Sequence, residues 1–305
     1  MNDTDTIIQK LIEDSSKIIL GKERQIRVAL CAYLSSSHLL VEDIPGVGKT
    51  TLAKTIAHVL GLSYSRVQFT SDLLPSDITG VNFYNTKDAS FHFKKGPVFS
   101  QFLLADEINR ASAKTQSALL EAMEESQVSV DGVTHALPEP FFVMATKNPQ
   151  EEAGVYPLPS SQLDRFALCF SLGYPSKEAE FSMLKSLKSP DISSLDSLTQ
   201  TQREALNFAY EKVHVSDAIV SLIQEILALS RDSQRFKSGL SPRSALSLLA
   251  CSRAWALLEG RDFVIPSDVL SILPYITRHR LESRGEKLSA QEIVDAITQN
   301  LHIDT

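Results

Sequence analysis

The chain is poor in the residues that most extracellular and metal-based chemistry requires. Only three cysteines, Cys31, Cys169 and Cys251, occur in 305 residues. They are odd in number and widely spaced, with no Cys-x-x-Cys pair, so neither a disulfide framework nor a zinc site is indicated and reduced core residues are expected. The seven histidines form no His-Glu-x-x-His, and no Gly-x-Ser-x-Gly turn occurs, which removes the common zinc-hydrolase and serine-hydrolase signatures. No apolar run approaches the roughly 18 to 20 residues of a membrane span. Basic residues are in deficit, 30 against 37 acidic, for a net charge of −7. That balance argues against broad, sequence-independent binding of nucleic acid. The opening Met1-Asn2-Asp3-Thr4-Asp5 is acidic and lacks the basic and then apolar regions of a signal peptide, so a cytoplasmic protein is expected.

What is present is an ordinary globular composition, 43% hydrophobic and 22% charged, in a chain long enough for two domains. The rest is organised around His38 to Leu60. An apolar run, Leu39-Leu40-Val41, leads into Glu42-Asp43-Ile44-Pro45-Gly46-Val47-Gly48-Lys49-Thr50-Thr51 and then a helical pattern. A strand, a glycine-rich turn and a helix opening at Lys place backbone N–H groups and a helix N-terminus around one anion, the arrangement that cradles a triphosphate. ATP binding is therefore expected along Asp43, Pro45, Gly46, Val47, Gly48, Lys49, Thr50 and Thr51. Lys49 would reach the β and γ oxygens and Thr50 would offer its hydroxyl to Mg²⁺. The strict GxxxxGK[ST] pattern asks for Gly where Asp43 stands. Asp tolerates left-handed backbone, so Asp43 is expected to make the same turn.

About fifty residues on, the apolar run Gln101 to Ala105 ends in Asp106-Glu107. A parallel strand delivers its C-terminal end to the ligand crevice, so Asp106 can hold Mg²⁺ and Glu107 can activate a water. Another buried strand, Phe141 to Thr146, is followed by Asn148, an amide placed to orient water or touch the γ-phosphate; a loop cap before Pro149 is the plainer alternative. Arg165 lies within a short helical turn expected at 160–166, where pairing with an acid on its own surface is the plainer reading. Ser241-Pro242-Arg243 reads as a helix start, with Ser as N-cap and Pro at the first helical position. A cation in that first turn opposes the helix dipole, so an anionic partner is expected.

Helical spacing predicts helices over 6–19 and 23–35, and period-two alternation predicts hairpins at 81–93 and 127–137. From Pro175 onward alternation disappears, and helices are expected at 176–188, 199–213, 216–231, 242–259, 267–276 and 290–301. An α/β domain over 1–185 and a helical domain over 186–305, joined by a Ser/Pro/Asp-rich linker at 186–197, follow from these patterns.

The segments VEDIPGVGKT, LLADEINRASAKTQSALLEAMEE, ATKNPQEEAGVYPLPSSQLDRF and GLSPRSALSLLACSRAWAL resemble the AAA+ ATPases, and within them the MoxR family. The resemblance extends over nearly the whole chain and implies an α/β P-loop core. That core is an αβα sandwich on a mostly parallel five-stranded sheet, with β-hairpin inserts and an all-helical lid. By the same resemblance Lys49 and Thr50 match Walker A, Asp106 and Glu107 Walker B, Asn148 sensor 1, Arg165 the finger that reaches a neighbour's nucleotide, and Arg243 sensor 2 in the lid, beside ATP. Asp43 and Leu240 depart from the pattern without touching a charge-bearing role. The implied activity is Mg-dependent hydrolysis of ATP to ADP and phosphate. Implied too is a homo-oligomeric ring, usually a hexamer, in which lid rotation drives the hairpins against a client protein. The implied task is chaperone-like remodelling or activation, with metal-cofactor insertion and partners bearing a von Willebrand factor A domain within the family's range. Two other readings stand beside it, a nucleotide-gated scaffold with little hydrolysis and a nucleic-acid-directed motor.

Overall fold

The computed structural model describes residues 3–149, 154–185, 191–284, 288–299 and 301. Residues 186–190 of the expected linker and 150–153 of the quoted ATKNPQEEAGV segment lie outside that set, as do the ends of the helices expected at 176–188 and 290–301.

Two helices, α1 (Asp3–Ile18) and α2 (Glu23–Leu34), precede strand β1 (His38–Glu42) and helix α3 (Lys49–Val59). Then come β2 (Tyr64–Gln68), the short α4 (Pro75–Thr79), the hairpin β3 (Gly80–Asn85) and β4 (Ser90–Lys95), and β5 (Phe102–Asp106). Helix α5 (Ala113–Glu125) leads to a second hairpin, β6 (Gln127–Val130) and β7 (Val133–Ala136), and to β8 (Phe142–Lys147), α6 (Ser160–Leu163), β9 (Phe166–Phe170) and α7 (Lys177–Lys185). The remainder is helical: α8 (Gln200–Lys212), α9 (Asp217–Ser230), α10 (Pro242–Leu258), α11 (Pro266–Thr277) and α12 (Ala290–Thr298). Ser241 caps α10 as expected, and Ser112 caps α5, each accepting the N–H three residues on.

Five strands form one sheet in the order β2-β5-β8-β1-β9, with every pairing parallel. Strands β5 and β9 are buried throughout, as expected where helices cover both faces. Successive side chains point to opposite faces. Leu39, Val41 and Leu104 join one apolar cluster, whereas Leu40, Leu103 and Ala105 join the other, which gives the αβα sandwich. All three cysteines are free and buried. Among the described residues no helix is long and apolar enough to cross a membrane.

The first apolar cluster does not stop at the predicted 185/186 boundary. It runs from Ile8 and Leu11 through Ile26 and Leu30 to Leu248, Trp255, Ile272 and Ile297. The N-terminal helices thus share a core with the lid helices.

The two hairpins, far apart in sequence, lie side by side. Asn82 donates to Asp131 at 2.8 Å, and the Phe93 and His135 rings stack at 4.0 Å. The β3–β4 hairpin keeps Tyr84 and Phe91 exposed.

Candidate functional site

The phosphate loop joins the C-terminal end of β1 to α3. Gly46 and Gly48 adopt φ of 84° and 96°, and Gly48 is the N-cap of α3. A side chain is disfavoured at such angles, which explains why glycine stands at both. The Lys49 ammonium folds over the loop, donating to the carbonyls of Asp43 at 2.7 Å and Ile44 at 2.9 Å. Thr50 and Thr51 sit in the first turn of α3, where backbone N–H groups lack intrahelical partners.

Asp43 departs from the sequence expectation. It is not among the positive-φ residues, so it does not replace glycine by adopting a left-handed turn. Its buried carboxylate instead accepts from the N–H of Ile44 at 2.9 Å, the Ser171 hydroxyl at 2.9 Å and the N–H of Gly173 at 2.7 Å. Asp43 therefore ties the loop to the chain leaving β9. Its position suits the loop's shape, and its carboxylate is spent on protein donors.

Asp106 and Glu107 stand at the end of β5, on the same C-terminal edge of the sheet as the loop. The Thr146 hydroxyl donates to Asp106 Oδ1 at 2.6 Å, and the N–H of Glu107 donates to the same hydroxyl at 2.8 Å. Arg66 reaches Asp106 Oδ2 at 2.6 Å. Gln68, two residues further along β2, donates to Glu107 Oε2 at 2.7 Å, and Arg110 lies 3.2 Å from that oxygen. Glu107 has φ of 57°, a left-handed conformation rare outside glycine. Asn148 is buried just past the end of β8, on the same sheet edge. Among the described residues no cluster of three or more His, Cys, Asp or Glu could hold a metal. One carboxylate from Asp106 and one hydroxyl from Thr50 nevertheless suit Mg²⁺, which binds through few protein oxygens and completes its shell with phosphate and water.

Arg165 and Arg243 are together, but not there. Glu124, near the end of α5, pairs with Arg165 at 2.6 Å through Oε2 and with Arg243 through Oε1. Both the acid expected beside Arg165 and the anion expected beside Arg243 are thus one residue. The two arginines, Glu124, Ser36, Ser37, His38 and Asp164 line a cavity of about 220 Å³. His38 opens β1 and pairs with Phe166, which opens β9. The cavity therefore lies at the N-terminal edge of the sheet, whereas the loop and carboxylates lie at the C-terminal edge, about 13 Å away along five residues of strand. The expectation that Arg243 stands over the chain's own nucleotide is not met. The helical lid is docked by α10 and α11 against the start of β9, which carries Arg243 to the Arg165 side.

Asp164 joins these parts. Its carboxylate accepts from Ser241 Oγ at 2.6 Å, Ser244 Oγ at 3.0 Å and Arg280 Nε at 2.6 Å. Burial acts to raise the Asp164 carboxyl, but the bonds from Ser241 and Arg280 outweigh it and hold it below the usual carboxylate range. Arg66, Gln68, Thr146, Glu124, Asp164 and Arg280 were not singled out by sequence reasoning. Arg66 and Gln68 alternate along a recognisable strand, but only the pairing of β2 with β5 places them on the carboxylates. Asp164, directly before Arg165, carried a signal in its position.

The comparisons with known proteins agree with this architecture. Residues 38–168 match the ATPase family associated with various cellular activities, AAA, and residues 228–297 match the AAA lid domain. The chain is 42% identical to the Bacillus subtilis protein YeaC over 97% of this chain and 94% of that one. It is 39% identical to Chaperone MoxR1 of Mycobacterium tuberculosis over 96% of this chain and 81% of the relative. A solved structure of an ATPase candidate from Cytophaga hutchinsonii superposes with a TM-score of 0.90 at 33% identity, covering 99% of this chain and 96% of that one.

Proposed function

The chain belongs to the MoxR family of AAA+ ATPases, and from that premise we propose that it hydrolyses ATP in a closed homo-oligomeric ring, expected to be a hexamer, to remodel or activate a client protein. The observation that carries the proposal is the separation of Arg165 and Arg243 from the phosphate loop of their own chain. The paired Arg165 and Arg243 on one edge and the phosphate loop on the other complete each other when subunits join head to tail. Repetition of such a heterologous contact closes a ring if its rotation allows. Arg243 thereby acts with Arg165 in trans, not over its own subunit's ATP.

Within one site, Lys49 and the loop N–H groups bind the β- and γ-phosphates, with Thr50 and Asp106 as the residues that would hold Mg²⁺. When bound, that ion neutralises phosphate charge and orients the transferring group. Glu107 takes a proton from a water held by Asn148. The water oxygen bonds to the γ-phosphorus as the bond to the β–γ bridging oxygen breaks and ADP leaves. Arg165 and Arg243 of the adjoining subunit meet the charge that develops on the γ oxygens.

Glu107→Gln is expected to bind ATP with little change and to lose nearly all turnover; a titration with labelled nucleotide and a phosphate-release assay separate the two. A trans arginine is worth about 10³ to 10⁵ in rate at comparable sites. Arg165→Ala should therefore be nearly inactive alone, yet regain activity when mixed with Glu107→Gln subunits, which supply the missing arginine. Absence of rescue in assemblies shown by native mass spectrometry to be mixed would overturn the two-subunit site.

The exposed aromatics of β3–β4 and their contact with β6–β7 support these hairpins as the client-facing surface. The client proposed at the level of the family is one bearing a von Willebrand factor A domain, and the task metal-cofactor insertion.

A further inference from the structure

We propose that Asp164 is a positioning residue for hydrolysis, the joint that sets Arg165 and Arg243 as one unit for the neighbouring subunit's triphosphate; this rests on the two-subunit site above. Asp164 adjoins Arg165 in the chain. Its carboxylate is also the acceptor for Ser241 and Ser244, the cap and the third residue of the helix whose second residue is Arg243. One side chain thereby fixes the spacing between a residue of the α/β core and a residue of the lid.

The joint is held from behind by Arg280, just past the end of α11. Its side chain is 5% exposed, and its guanidinium has five N–H donors, each of which has an acceptor. Nε donates to Asp164 Oδ1, Nη1 to the carbonyls of Ala167 and Ile276, and Nη2 to the carbonyls of Asp164 and Phe166. Such a fully satisfied buried arginine cannot swing out to a ligand without breaking all five of these hydrogen bonds. Its role is to fix the Asp164 backbone and side chain together. Asp164 in turn is far from its own phosphate loop, being at the opposite sheet edge.

The geometry makes a directional prediction. Damage to Asp164 should fall on the neighbour's catalysis and leave the chain's own nucleotide binding intact. Misplacing a catalytic group by about 1 Å costs on the order of 10²-fold in rate, and a loss of that size in kcat is expected for Asp164→Asn. Its affinity for ATP, measured by titration of the assembled protein, should be unchanged. Mixed with Glu107→Gln subunits, whose arginines and Asp164 are intact, Asp164→Asn should regain turnover, because its own site is then completed by sound neighbours. A merely structural lesion would stay with the subunit that carries it and would not be rescued.

Arg165→Ala run in the same mixtures separates the outcomes. Rescue of Arg165→Ala without rescue of Asp164→Asn, or a wild-type rate for Asp164→Asn alone, overturns the positioning role and leaves the two-subunit site standing. Failure to rescue Arg165→Ala overturns both. Where Asp164→Asn lacks a cooperative unfolding transition, Ser241→Ala/Ser244→Ala carries the test, since it removes the link to α10 and keeps the pair with Arg280. The same lowered kcat and the same rescue are expected, and a wild-type rate overturns the proposal.

Discussion

His38 is held as a neutral imidazole by its two neighbours. The N–H of Val143 donates to Nδ1 at 3.1 Å, which leaves Nε2 to carry the proton toward the Met123 carbonyl at 3.2 Å. A second proton has no acceptor, and burial lowers the pKa to about 4, the Met123 bond opposing it only in part. Below the ordinary value of 6.5 the unfolded chain takes up a proton that the folded chain refuses. Stability therefore falls as pH drops from about 6.5 to about 4, by about 3 kcal/mol, and levels off below. His279, lowered well below its ordinary value chiefly by burial, adds in the same direction. Denaturant titrations at pH 7 and pH 4.5 should show a smaller loss for His38→Gln than for the wild type; equal losses would refute the assignment. At this scale the candidate residues were legible where chemistry demands a type at a spacing, as with Lys49, Thr50, Asp106 and Glu107. Asp43 was legible as a departure but not in its conformation, because its partners Ser171 and Gly173 lie about 130 residues away.

Elements were read more completely than their neighbours. Hydrophobic patterning is a local property, so both hairpins, the apolar runs of β1, β5 and β8 and the helices at 6–19, 23–35 and 199–276 stand close to the spans expected of them. Strand order is non-local, and so is the pairing that brings Arg66 and Gln68 onto the carboxylates or lays one hairpin against the other. The β3–β4 hairpin shows how tightly such a non-local fit is drawn. A Cβ at Gly96 would meet the Ile78 carbonyl oxygen and the Gly80 nitrogen, both backbone atoms that cannot rotate aside. Gly96→Ala must therefore shift the hairpin away from α4, at a cost of about 1 to 3 kcal/mol, typical of overpacking. Its phosphate loop is separate from that contact, so ATP affinity should be retained. Chemical denaturation checks the first expectation and nucleotide titration the second; a variant as stable as the wild type would mean the backbone has room that its geometry denies.

The whole molecule is less divisible than its pattern of elements suggests. A change from alternating to purely helical periodicity marked a division near residue 185, but composition cannot reveal whether two patterns share a core. Here they do. Ile26, Leu30 and Cys31 of α2 are buried to 1% exposure or less in the cluster that holds the lid helices. Cys31 Sγ lies 3.2 Å from the Cys251 carbonyl, Arg24 donates to Tyr275 at 2.7 Å, and Arg27 reaches the Leu258 carbonyl at 3.2 Å. Together with Asp164 and Arg280, these contacts make the lid and the core one body. The same continuity predicts the unfolding behaviour. Exposing a buried Leu or Ile costs about 1.5 to 3 kcal/mol, and removing residues 186–305 would uncover several on α1 and α2. A native margin of about 5 to 15 kcal/mol does not survive that loss. The full chain should unfold in one transition followed identically by circular dichroism and tryptophan fluorescence from Trp255. Residues 1–185 expressed alone should show no cooperative transition, and a fragment that melts sharply at the full chain's midpoint would prove that the core stands without its lid.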